Sequence, residues 1–241
     1  MPGPRTAMTQ GMTQTAEAGA SPGLYRLLAW LSPGFPIGAF SYSHGLEAAV
    51  ASGAVHDRAS LEAWTAAVVV HGSGRMDADI LRDAYRAACA ADRVALDAAN
   101  RRGIAFRATA ELALEAGQQG EAFLATCRAA WPDAFIADWA TDGVCHSAVF
   151  GAVAARAGIA LADTLTGYLQ ALAANLVSAG LRLGIIGQTD GQRILSALEP
   201  AVGRAAAAAT TRDPSDFGAA TFAVDLASMA HETQYTRLFR S

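Results

Sequence analysis

Lysine is absent from this 241-residue chain; all 18 basic residues are arginine. A phosphate loop of the G-x-x-x-x-G-K-[ST] kind needs its lysine on the β and γ phosphates, so the chain carries no such loop. A Schiff-base enzyme needs a reactive amine, and only the N-terminus supplies one. The arginines are scattered, Arg101-Arg102 being the sole adjacent pair, and the formal net charge is −4. Nucleic acid requires clustered positive charge and is an unsuitable partner. Cysteine is scarce: Cys89, Cys127 and Cys145 are odd in number and form no C-x-x-C. That excludes a disulfide framework and suits a reducing cytoplasm. No apolar run is long enough for a membrane helix, because Arg156, Asn175 and Arg182 cut the alanine-rich stretches. Residues 1–20 lack the apolar core of a secretory signal and read as a disordered tail, with Met1, Met8 and Met12 as alternative starts.

Alanine is what the chain has instead, 58 residues or about a quarter of it. Apolar residues recur at helical spacing almost throughout, and Val68-Val69-Val70 is the only β-branched run. Leu24, Leu27, Leu28 and Leu31 mark a first helix, capped by Ser21 and broken by Pro33 and Pro36. A short helix over 44–52 follows, with Ser43 as its cap and Gly53 as its end. Further helices are predicted near 60–72, 76–100, 104–116, 119–130 and 142–157. The clearest spans 161–182, where Leu165, Tyr168, Leu169, Leu172 and Leu176 share a stripe that Gly184 and Gly187 end. Thr189 then caps a helix through Val202, and a last one covers 219–231. The expectation is a single all-α bundle of about 8–10 helices over 21–231.

Local chemistry is thin. His44, His56, His71, His146 and His231 form no H-x-x-x-H pair, so no local zinc site is expected. Cys145-His146 is the one soft pair, and helical neighbours point about 100° apart. A packed thiol beside a polar ring is the plain reading; a metal site across a dimer seam is the sharper one. Asp77 and Asp79 also diverge on a helix and suit its negative-tolerant start. Ser41 or Ser43 with His44 would make a hydrolase, but neither serine has the glycine of a nucleophile elbow.

Three segments stand apart from ordinary bundle sequence. Ser32 to Glu47 crowds Pro36, Gly38, Phe40, Ser41, Tyr42 and Gly45 into a loop that could be shorter. Gly187 to Arg193 is polar between two apolar helices. The ending from His231 to Ser241 carries Tyr235, Arg237, Leu238, Phe239 and Arg240, residue types enriched at interfaces. Composition alone makes residues 232–241 a partner-binding tail.

These segments resemble the urease accessory protein UreF family. Ser32-Pro-Gly-Phe-Pro-Ile-Gly-Ala-Phe-Ser-Tyr-Ser-His-Gly-Leu-Glu47 is similar to its S-P-x-x-P-[VI]-G-x-F-S-Y-S-x-G-L-E entry segment. His231-Glu-Thr-Gln-Tyr-Thr-Arg-Leu-Phe-Arg-Ser241 is similar to its H-E-T-Q-Y-S-R-L-F-R-S tail, with Thr236 in place of serine. The resemblance implies an all-helical, homodimeric, cytoplasmic protein without catalytic activity or cofactor. It implies an adaptor that binds UreD (also called UreH) and recruits the GTPase UreG for nickel insertion into apo-urease. Glu232, Thr233, Gln234, Tyr235, Arg237, Leu238, Phe239 and Arg240 would form a UreD-binding tail that orders on binding. Gln188, Asp190, Gly191, Gln192 and Arg193 would face UreG. The loop of Pro36, Gly38, Phe40, Ser41, Tyr42, Gly45 and Glu47 would organise the fold. The alternative is a metallochaperone holding nickel at a dimer interface through His146 and Cys145.

Overall fold

The computed structural model describes residues 22–139 and 142–241. The 1–20 tail and the Ser21 cap fall outside them. Among the described residues there is no strand; the chain forms α1 (Pro22–Trp30), α2 (Leu46–Ala51), α3 (Arg58–His71), α4 (Ser73–Cys89), α5 (Arg93–Ala105), α6 (Ala110–Ala130), the single turn α7 (Ala134–Ala137), α8 (His146–Arg156), α9 (Leu161–Arg182), α10 (Gln188–Thr211) and α11 (Phe222–Glu232). The all-α single domain is as expected, with ten helices longer than one turn.

The centre of the bundle is α4, which packs on α3, α5, α8, α9 and α10. It can do so because its alanines present little bulk; Ala78, Ala84, Ala87 and Ala88 are all buried. Against it α8 buries Ala148 to Ala154 without a break. Gly151 permits the contact: a Cβ there would lie 2.3 Å from the Leu81 carbonyl oxygen. Trp30 sits edge-on to Phe123, Trp131 and Phe150, closing one end of the core. Arg107 and Asp77 pair at 2.6 Å inside it, and Asp79 pairs with Arg212 at 2.7 Å. Asp77 and Asp79 thus diverge as expected, but they lie beyond the first turn of α4, in buried ion pairs rather than at a helix start.

Several boundaries differ from expectation. The predicted 76–100 helix is two, because Ala91 turns left-handed (φ 53°) and Asp92 caps α5 through the Ala95 N–H. The predicted 104–116 and 119–130 helices are one, begun by the Thr109 cap. Gly120 serves close packing there, since its Cβ would meet the Val144 carbonyl oxygen at 2.7 Å. Leu24 and Leu28 face outward while Leu27 and Trp30 are buried, so the α1 core face is narrower than the leucine stripe. Thr189 caps nothing: α10 starts at Gly187 without a side-chain cap. Gly184 (φ 76°) ends α9 as expected, with the Ile185 N–H returning to the Gly180 carbonyl.

Candidate partner-binding site

The loop before α2 and the ending after α11 meet. Gly38 and Gly45 adopt left-handed φ of 70° and 76°, turning the chain so that Tyr42 to Ala49 face inward. Gly45 is also where α2 rests on α11, since a Cβ would stand 2.9 Å from the Ser228 backbone nitrogen. Ser43 does not cap the helix as expected, because Gly45 is the N-cap of α2; its hydroxyl oxygen accepts the Glu47 N–H at 3.2 Å and the hydroxyl donates to the Ser241 carbonyl at 2.5 Å. The Ser43 N–H reaches that same carbonyl at 2.7 Å, and the Arg240 N–H reaches the Ser41 carbonyl at 2.8 Å. The tail therefore runs along residues 41–43 as a short backbone-paired ribbon.

Three carboxylates secure it. Glu47 Oε1 accepts the Leu238 N–H at 2.7 Å; Oε2 accepts the Phe239 N–H at 2.9 Å and faces His231 Nε2 at 3.0 Å. Glu111 faces His231 Nδ1 at 2.7 Å and binds Arg237 at 2.7 Å. Glu115 accepts the Ser241 hydroxyl at 2.9 Å and faces His44 Nδ1 at 3.2 Å. Burial alone would raise the Glu47 carboxyl. The Leu238 N–H, the His231 ring and the Phe239 N–H outweigh burial and hold it below its ordinary value. Phe239 is buried under the Arg182 guanidinium, 4.4 Å from its ring centroid, and Arg182 also donates to the Phe40 carbonyl.

Alternation along the ribbon sends Phe239 inward and leaves Leu238 64% exposed, beside a fully exposed Tyr235 and with Phe40 69% exposed on the loop. Arg240 lies over the Tyr42 ring at 5.9 Å. Glu232 reaches the Ala110 N–H at the start of α6, Thr233 bonds the Ala230 carbonyl, and the Gln234 amide bonds the Thr236 carbonyl. The resemblance implies a tail that orders on binding. In the structure the tail lies on the molecule's own loop: Glu47 accepts two of its backbone N–H groups, while Glu111 and Glu115 meet its side chains.

The 188–193 segment is placed differently. It is the first turn of α10, with Gln188, Gln192 and Arg193 exposed, Gly191 buried, and Asp190 paired with Arg193 at 3.0 Å. Its one ion pair is internal and does not reach the tail cluster. Cys145 and His146 are not arranged as ligands. The Cys145 thiol is fully buried near the Asn100 carbonyl and Ser147 hydroxyl, and burial pushes its pKa up. Burial pushes His146 down to about 4; its ring packs on Phe123, Phe150 and Tyr168. No group of three or more His, Cys, Asp or Glu able to hold a metal occurs among the described residues.

Ser41 and Ser43, weakly placed as nucleophiles by the sequence, do not pair with His44. Ser43 serves the tail, and His44 Nε2 faces Ser73, not Ser41 or Ser43, at 2.7 Å. His44 and Ser73 border a cavity of about 400 Å³ with Met76, Phe106 and Thr221. Sequence reasoning missed Glu111, Glu115, Ser73 and Arg182. The first two carried a legible signal: acids at i and i+4 on the α6 face that also bears Leu112, Ala116 and Gln119. A buried helix face tolerates such charges only when something pairs them.

Comparison with known proteins identifies the family. The UreF family model matches residues 55–199. The loop and tail lie outside that match, while the relatives align over nearly the whole chain. A urease accessory protein UreF of Rhodopseudomonas palustris (strain BisB5) is 48% identical over 236 residues, 97% of this chain and 96% of the relative. A urease accessory protein UreF of Azorhizobium caulinodans is 48% identical over 230 residues, 94% and 99% respectively. One from Bradyrhizobium sp. (strain ORS 278) is 45% identical over 239 residues, 98% and 100%. With the helical fold, the seated tail and these relatives in agreement, the chain belongs to the UreF family of urease accessory proteins.

Proposed function

We propose that this protein is the cytoplasmic, homodimeric adaptor of urease maturation, binding UreD (UreH) at one face and the GTPase UreG at another so that nickel enters apo-urease. It supplies no catalysis of its own. The observation that carries the reading is the seated tail: an ending that carries Tyr, Leu, Phe and Arg is held by Glu47, Glu111 and Glu115 and leaves Tyr235 and Leu238 exposed, as Phe40 is on the loop. Rigid aromatic and aliphatic side chains flanked by arginine are the anchors that protein interfaces favour. The first turn of α10, with Gln188, Asp190, Gln192 and Arg193, supplies the UreG-facing surface. Gln188, Gln192 and Arg193 there are exposed and Asp190 partly so, while Gly191 between them is buried.

Size-exclusion chromatography with light scattering tests this directly. The full chain, mixed with UreD and UreG, elutes as an assembly holding two copies of it. Removing residues 232–241 abolishes UreD binding and leaves the helical signal intact. Undiminished UreD binding by the shortened chain would overturn the tail assignment.

A further inference from the structure

We propose that Glu47 is the positioning residue of the tail: its one carboxylate grips the backbone of residues 238 and 239 and the ring of His231, and so sets the shape that UreD meets. This rests on the reading of the tail as the UreD-binding segment. The tail's own side chains give it an apolar plug in Phe239 and an ion pair in Arg237. Neither fixes which way residues 235 and 238 point. Two consecutive backbone N–H groups bound by the two oxygens of one buried carboxylate do fix it, because they set the peptide planes on both sides of Leu238. The carboxylate is itself immobile: Glu47 lies in the first turn of α2, 7% exposed, with its own N–H on Ser43.

Glu47 also joins the tail to the helix before it. His231, near the end of α11, takes the second lone-pair site on Oε2 and reaches Glu111 on α6 with its other nitrogen. One carboxylate thereby sets α2, α11 and the ribbon in register. Glu111 and Glu115 do not share this role, since each meets only side chains of the tail. An amide at position 47 keeps the shape of the side chain but has a single acceptor oxygen. Its NH₂ would face either a backbone N–H or the His231 ring.

The test compares the full chain with Glu47→Gln, using Glu62→Gln on α3 as the control. Hydrogen exchange of the 233–241 peptide and affinity for UreD are read together. In Glu47→Gln the tail amides exchange at least tenfold faster and UreD binds at least tenfold more weakly, with helical content unchanged; Glu62→Gln matches the wild type. In a chain lacking residues 232–241, Glu47→Gln has no further effect on any residual binding, which separates positioning of the tail from support of the fold. Should Glu47→Gln lose helicity, Leu238→Pro removes one of the two N–H donors from the tail side, and the exchange of the remaining tail amides, read without UreD, rises by the same factor. Tail exchange equal to wild type, or undiminished UreD affinity, overturns the proposal. A wild-type chain that does not bind UreD overturns the reading of the tail, and the exchange rates then decide the Glu47 grip separately.

Discussion

The tail and the first turn of α10 look alike as sequence: both are polar, glutamine- and arginine-bearing, and set against apolar helices. Their structural fates are opposite. The tail is wired into the molecule through Glu47, Glu111 and Glu115 from α2 and α6. The α10 turn spends its charges on one exposed pair within itself, Asp190 with Arg193. A polar segment's composition therefore advertises exposure to a partner without saying whether the fold also depends on it. That depends on what the segment finds across the chain.

The sharpest way to break the comparison is to empty the tail's seat. Phe239→Ala removes its one buried aromatic ring and should cost about 3 kcal/mol of local stability, the usual loss for such a truncation. Amide protection over 233–241 should collapse while α10 keeps its own; retained protection would mean the carboxylates suffice alone. Acid comes next. The Glu47 carboxyl is lowered in the folded chain, so its contribution is complete above the ordinary glutamate value near 4.3 and is lost as pH falls through its lower folded value. The Phe239 ring resonances should shift to free-chain positions over that range, with those of α10 lagging until global unfolding. Simultaneous loss would erase the distinction. The smallest effect belongs to α10. Replacing Gln188, Asp190, Gln192 and Arg193 together with alanine should change stability by no more than about 0.5 kcal/mol in thermal unfolding, because the pair is exposed. UreG recruitment in the chromatographic assay should fall. A large drop in melting temperature would show that this turn is structural after all.

Much of the fold was legible because alanine-rich helices announce themselves by period. The 161–182 stripe became α9 with its predicted ends. Boundaries failed where one residue type serves two purposes. Asp92 read as helix interior and is a cap, while Gly120 lies within a continuous helix because the Val144 backbone comes too close for a side chain. The candidate site was half legible. Tail and loop each stood out, but their union rests on contacts such as Glu47 with His231, 184 residues apart, for which one sequence offers no spacing rule. Glu111 and Glu115 were visible in principle as acids on an apolar face. Cys145 and His146 invited metal chemistry by identity, and what the sequence did not show is their setting: a fully buried thiol, and a ring packed on Phe123, Phe150 and Tyr168.

Arg182 gives the two surfaces a mechanical relation. It closes the last turn of α9 with its guanidinium on Phe239 and on the Phe40 carbonyl, and only Leu183 to Gly187 separate it from the start of α10. Six residue steps of chain reach at most about 22 Å. One helix end thus carries both: Arg182 holds the tail, and the connection that follows, anchored on the core by Leu183, Ile185 and Ile186, leads straight into α10.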